Sequence, residues 1–118
     1  MKDKISVLGQ EYELVQTTPK NDPKLENNFG YLEPYSKKIV IDKTIAETIG
    51  CESGRADCVE CVDNFINKIY RHEIIHAFFE ESAISYNYNK EEEDFLVDWM
   101  AKQFPKMKKI FDDLGVSD

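Results

Sequence analysis

Histidine is scarce in this chain of 118 residues, which has two. That excludes a metal site built from three imidazoles and means that any catalytic metal must borrow a ligand of another type. Positive charge is also short: 15 Lys and Arg stand against 23 Asp and Glu, a net charge of −8 that repels phosphate backbones and argues against a nucleic-acid partner. No apolar run reaches 18 residues, and the opening stretch MKDKISVLGQEYELV has no apolar segment of signal-peptide length. No membrane partner is therefore expected, and the expected location is cytoplasmic. The cysteines number three, an odd count that suits a reducing compartment better than a disulfide framework. Cys58 and Cys61 form a CxxC with Cys51 upstream, but no fourth Cys or spare His completes a metal site and no βαβ unit surrounds it, so the cysteines read as structural. Internal repeats, collagen-like periodicity and low-complexity tracts are absent as well.

What is present suffices for one core. Hydrophobic residues make up 42% of the chain, with seven Phe, six Tyr and one Trp, so residues 1–118 are expected to form a single domain. Ile5 to Leu8, a turn at Gly9-Gln10 and Tyr12 to Val15 read as a hairpin. Residues 17–28, with two Pro and three Asn, read as a loop. Gly30 to Glu33, a turn at Pro34-Tyr35-Ser36 and Lys38 to Ile41 read as a second strand pair. A short helical turn is expected at 44–50. Asp57 with Glu60 resembles a capping box, and the apolar residues Val59, Val62, Phe65, Ile66, Ile69 and Ile75 then recur at helical spacing, predicting a helix over about 58–82. Its residues Ile69, Tyr70, Ile74, Ile75, Phe78 and Phe79 suggest burial around most of the circumference. After a polar, aromatic loop at 85–89, Asn89 with Glu92 makes another capping box, opening a helix over about 90–104 that packs through Phe95, Trp99 and Met100 and is stopped or kinked at Pro105. A last short helix ends at Leu114 before Gly115. Strands first and helices after predict an α+β fold: a small antiparallel sheet of three or four strands, then the long helix and one or two C-terminal helices.

Both histidines lie in the long helix, as His72-Glu73-Ile74-Ile75-His76. Shuffling this composition gives such an HExxH pattern roughly once in 500 chains, so the pattern needs its context. Residues i and i+4 leave a helix about 40° apart and can share one tetrahedral Zn²⁺, while a glutamate between them can serve as general base. The pattern thus predicts zinc as cofactor, His72 and His76 as ligands and Glu73 as the catalytic base. Catalytic zinc generally uses three protein ligands, and with no further histidine the third must be a carboxylate. Glu91-Glu92-Glu93-Asp94, at the start of the next helix, is the nearest supply. Glu92 is engaged as capping partner, and Asp94 shares a face with Asp98, but helical phase alone leaves Glu91 and Glu93 open beside Asp94. Glu80, one turn past His76, is a candidate for orienting a histidine. Lys102, Lys106, Lys108 and Lys109 read as a solvated helix face.

The stretch Arg71-His-Glu-Ile-Ile-His-Ala77 together with Glu-Glu-Asp94-Phe-Leu-Val-Asp98-Trp-Met-Ala101 resembles the ImmA/IrrE-type metallopeptidases of bacteria and their mobile elements, closest to small phage or prophage members. The resemblance covers about half of the chain, from Ile69 to Pro105. It implies a minimal zincin-like domain in which the acidic ligand is Asp94 and the polar residue four positions later is Asp98. The family usually carries Glu at the ligand position, one methylene longer than Asp94, so Glu91 or Glu93 could substitute. The implied activity is that of a gluzincin-like peptidase cutting a specific cytosolic protein, with Glu73 moving the proton and a tyrosine, among Tyr35, Tyr86 and Tyr88, assisting at the oxyanion. The alternative is a non-catalytic zinc-binding interaction module.

Overall fold

The computed structural model describes residues 3–53 and 59–118, the side chains of 50–61 excepted. The expected capping box of Asp57 and Glu60, and the roles of Cys51, Cys58 and Cys61, lie outside the described residues. The fold is α+β. Four strands, β1 (Lys4–Val7), β2 (Gln10–Thr17), β3 (Gly30–Glu33) and β4 (Lys38–Asp42), precede three helices, α1 (Ile45–Ser53), α2 (Val59–Glu81) and α3 (Lys90–Leu114).

The β1–β2 hairpin turns through Leu8 and Gly9, both at positive φ, the backbone that a two-residue turn between twisted strands demands. The sheet, however, is mixed rather than antiparallel. Its order is β1-β2-β4-β3, and β2 pairs with β4 in parallel, Leu14 opposite Ile39 and Gln16 opposite Ile41. The reason lies in burial. β4 contributes Ile39, Val40 and Ile41, all buried, and a run apolar on both faces belongs at the centre of a sheet. The connection over 18–29, which includes a short 3₁₀ turn at Pro23–Glu26, carries the chain past that central position, so β3 takes the edge and β4 returns beside β2 in the same direction.

Ile39 and Ile41 join Val7, Tyr12, Ile45 and Ala77 in the core, against which Phe65, Ile66, Ile69, Tyr70 and Ile74 of α2 pack. At the far end of α2, the Glu81 carboxylate accepts hydrogen bonds from Tyr12 Oη at 2.5 Å and from Lys37, pinning the helix to the sheet. Burial first, then the hydrogen bond to Glu81, pushes the Tyr12 phenol up to about 12. Asp42 closes β4 by accepting from the backbone N–H and hydroxyl of Thr44, which turns the chain into α1.

α3 departs from expectation in two ways. It runs unbroken through Pro105, in place of the expected stop or kink, so that of the one or two C-terminal helices expected there is one. Its Asn89–Glu92 capping box and left-handed Gly115 cap are as expected, with Gly115 N–H donating to Asp112 O and Val116 N–H to Phe111 O. Phe95 and Trp99, expected to be packed, are 71% and 51% exposed, and Phe78 of α2 is also exposed. Val97 and Ala101 are the buried residues of α3 instead. Small side chains let the two helices approach closely enough for polar groups to span the seam. Lys102, Lys108 and Lys109 form a solvated, locally neutralised face, paired with Asp98, Asp112 and Asp113 one turn away. No helix among the described residues is long and apolar enough to cross a membrane.

Candidate metal centre

Two adjacent rows of α2 carry the site. Ile69, Glu73 and Ala77 recur every four residues and turn toward the sheet, while Lys68, His72 and His76 form the next row and turn toward α3. Glu73 is consequently a charged residue in an apolar row, 6% exposed. Burial pushes its carboxyl up to about 7, with His76 opposing the rise and Asp94 adding to it.

α3 supplies a carboxylate to each imidazole. Glu93 Oε2 lies 2.5 Å from His76 Nδ1, and Asp98 Oδ1 lies 3.4 Å from His72 Nδ1. An ionised carboxylate can only accept, so the tautomer with its hydrogen on Nδ1 lets each imidazole donate to its carboxylate and leaves each Nε2 as a lone pair. Those two Nε2 atoms face one another at 3.2 Å. Asp94 Oδ1 lies 3.0 Å from His76 Nε2, on the side of that imidazole that faces His72. The ligand atoms of His72, Glu73 and His76 all lie within 4.8 Å of one another, a group that could hold a metal ion.

The surrounding charges keep this arrangement fixed. Burial alone would push the Asp98 carboxyl up, yet hydrogen bonds from Lys68 at 3.0 Å and Lys102 at 3.2 Å outweigh it and hold the group at about 2. Asp98 is thus a permanent anion behind His72. Burial and the neighbouring His76 lower the proton affinity of His72, and Asp98 and Asp94 act against them. A neutral imidazole is the form that binds metal.

His72, Glu73, Asp94 and Asp98 form a wall of a cleft of about 440 Å³, lined also by Asn28, Gly30, Tyr31, Ile69 and Lys90. The edge strand β3 is the opposite wall, and it approaches Glu73 closely because its first residue is glycine. A Cβ on Gly30 would stand 2.9 Å from Ile41 Cδ1, 3.0 Å from Val40 O and 3.3 Å from Glu73 Cγ.

Among the alternatives left open by the sequence, Asp94 meets Nε2 of His76 and Glu93 meets Nδ1. Among the described residues, Glu91 makes no ion pair with either histidine. The orienting role expected of Glu80 falls to Glu93 and Asp98; the Glu80 side chain makes no hydrogen bond to either imidazole. Tyr35, 98% exposed at the β3–β4 turn, lies away from the cleft, as do Tyr86 and Tyr88. The tyrosine that lines it is Tyr31, whose hydroxyl donates to Asp22; burial and that hydrogen bond push it up to about 12. Lys90 could have been found in the sequence, because it sits one turn before Asp94 on the same helical face. Comparison with protein-family models, curated proteins and solved structures finds no match to this chain. The likeness to ImmA/IrrE-type peptidases therefore rests on its residues alone.

Proposed function

We propose that this chain is a zinc-dependent metallopeptidase in which His72, His76 and Asp94 hold the metal and Glu73 is the general base. The observation that carries the reading is the pair of facing Nε2 atoms. Two imidazoles on one tetrahedral zinc, at bond lengths of about 2.0–2.1 Å, hold their nitrogens roughly 3.3 Å apart. Here they are 3.2 Å apart, each oriented from behind by a carboxylate, with a third acidic oxygen 3.0 Å from one of them. In the tautomer with hydrogen on Nδ1, both Nε2 lone pairs and the Asp94 oxygen are available to a cation placed between them.

When bound, zinc would acidify a water and stabilise negative charge on a polarised carbonyl oxygen. The chain's own part is proton transfer. Glu73, buried and with its proton affinity raised, takes the proton of a water in the cleft and returns it to the leaving amine. Peptide is the favoured substrate class because the far wall of the cleft is a sheet edge, whose unpaired backbone groups suit an extended chain. The ImmA/IrrE resemblance adds a specific cytosolic protein as the target and a phage or prophage setting.

One observation favours a second reading, a non-catalytic metal-binding module. Glu73 itself lies within ligand reach of both histidines. With Asp94 it could close a four-ligand structural site. One substitution separates the two. In the peptidase, Glu73→Gln retains one zinc per chain and abolishes cleavage of a proteome-derived peptide library; in the closed site, it weakens zinc binding itself. A folded chain that takes up no zinc from replete medium would overturn both.

A further inference from the structure

Pro105 lies inside α3, which continues for nine residues beyond it. In an α-helix the carbonyl of residue i accepts from the N–H of residue i+4, so the carbonyl left without a helical donor by Pro105 is that of Ala101. Ala101 is fully buried, which keeps water from taking the donor's place. The partner comes from the other helix: Arg71 Nε of α2 donates to Ala101 O at 2.9 Å. Arg71 directly precedes His72, and Ala101 follows Asp98 by three residues.

We propose that Arg71 is a positioning residue that sets the register of α3 against α2 through the carbonyl freed by Pro105, and thereby determines where Asp94, Glu93 and Asp98 meet the two histidines. The apolar part of the seam, Val97 and Ala101, specifies contact but not registration, because smooth side chains tolerate sliding. A hydrogen bond to one named oxygen does not. The helices run antiparallel, with His76 meeting Glu93, His72 meeting Asp98 and Arg71 meeting Ala101 in succession. A slip of one residue moves a helix about 1.5 Å along its axis, enough to break the 3.0 Å contact of Asp94 with His76. Pro105 makes the device specific, because within α3 no other proline frees a carbonyl.

The functional consequence rests on the metal-centre reading, so the test has an arm with metal and an arm without. Zinc affinity is measured by chelator competition in wild type, Arg71→Met, Pro105→Ala and the double variant, together with the visible spectrum of the Co²⁺-loaded forms. Arg71→Met lowers zinc affinity about ten- to hundredfold and shifts the Co²⁺ spectrum. Pro105→Ala returns a helical donor to Ala101 O, so the double variant recovers the urea stability of the metal-free protein but not its zinc affinity. If affinity returns with stability, Arg71 merely satisfies a carbonyl and the proposal is overturned. Should Arg71→Met alone fail to fold, the double variant against Pro105→Ala carries the same comparison. If wild type takes up no zinc, the metal reading falls and the register is judged without it, from the unfolding constants of Arg71→Met, Glu93→Gln and their combination. Register control makes these non-multiplicative by at least about threefold, although Arg71 and Glu93 meet different partners; simple multiplication overturns it.

Discussion

The two faces of α2 differ in kind. Toward the sheet it presents Ile66, Ile69, Tyr70, Ile74 and Ala77 to a closed apolar core. Toward α3 it presents Lys68, Arg71, His72 and His76, each of which meets a specific oxygen of the neighbouring helix. Burial of apolar area is non-directional and supplies stability, whereas hydrogen bonds and ion pairs have defined partners and supply geometry. One helix thus holds the fold with one side and a site with the other, and damage to the two sides is expected to be separable.

The widest separation comes from the chemistry. Glu73→Gln should lower peptide hydrolysis by about 10²- to 10⁴-fold while metal content and helicity are unchanged. Equal loss of metal and activity would assign Glu73 to the ligand set instead. On the sheet side, Ile39→Ala removes a fully buried side chain and should cost about 2–5 kcal/mol in urea denaturation. Zinc affinity of the folded protein should stay within about twofold of wild type. If it collapses, the faces are not independent.

Glu73 also provides a test in which pH is the variable. Its folded-state pKa is raised to about 7 from an ordinary 4.5, so the stability associated with its protonated form is complete below about pH 4.5 and is lost as pH rises through 7. In metal-free protein, Glu73→Gln should therefore gain on wild type by about 3 kcal/mol between pH 4 and pH 8, measured by urea denaturation with a chelator present. A constant difference across that range would mean that the carboxylate is better solvated than its burial implies. On the α3 side, Glu93→Gln leaves His76 without its charged acceptor and should weaken zinc about ten- to hundredfold, with stability changed little. An unchanged affinity would remove Glu93 from the site.

The polar face was more legible in the sequence than the way its parts are held. HExxH spacing, the capping box of Asn89 and Glu92 and the αL cap at Gly115 are local patterns that require no knowledge of the rest of the chain. The parallel pairing of β2 with β4 is non-local, and the turn signals at Pro34 to Ser36 describe only the hairpin beside it. Pro105 reads as a helix breaker because sequence shows the lost donor but not Arg71, thirty residues before Ala101, supplying a replacement. Glu93 and Asp94 could not be ranked by helical phase because both reach His76, one at each nitrogen, and the distinction between ligand and orienter is a matter of which nitrogen is met. Phe95 and Trp99 suggest packing by their size, yet the seam excludes bulk and selects Val97 and Ala101.

Gly30 is where the two faces come together, and it gives the smallest and sharpest test. Its position opens the edge strand beside Glu73, and a methyl group there would press on Ile41 Cδ1, Val40 O and Glu73 Cγ together. The Ile41 contact is the end of a flexible side chain and can yield, so Gly30→Ala should cost only about 1 kcal/mol of stability. The Val40 carbonyl is held in the sheet and cannot yield in the same way, which directs the remaining displacement onto Glu73. In the proposed role of Glu73 as general base it must meet a water at hydrogen-bond distance, so a shift of a few tenths of an ångström should lower kcat several-fold more than the stability change accounts for, with zinc affinity unaltered. A variant in which kcat and stability fall in proportion would show that the sheet supports Glu73 only by keeping the protein folded; a fall in kcat alone would show that the edge strand also aims it.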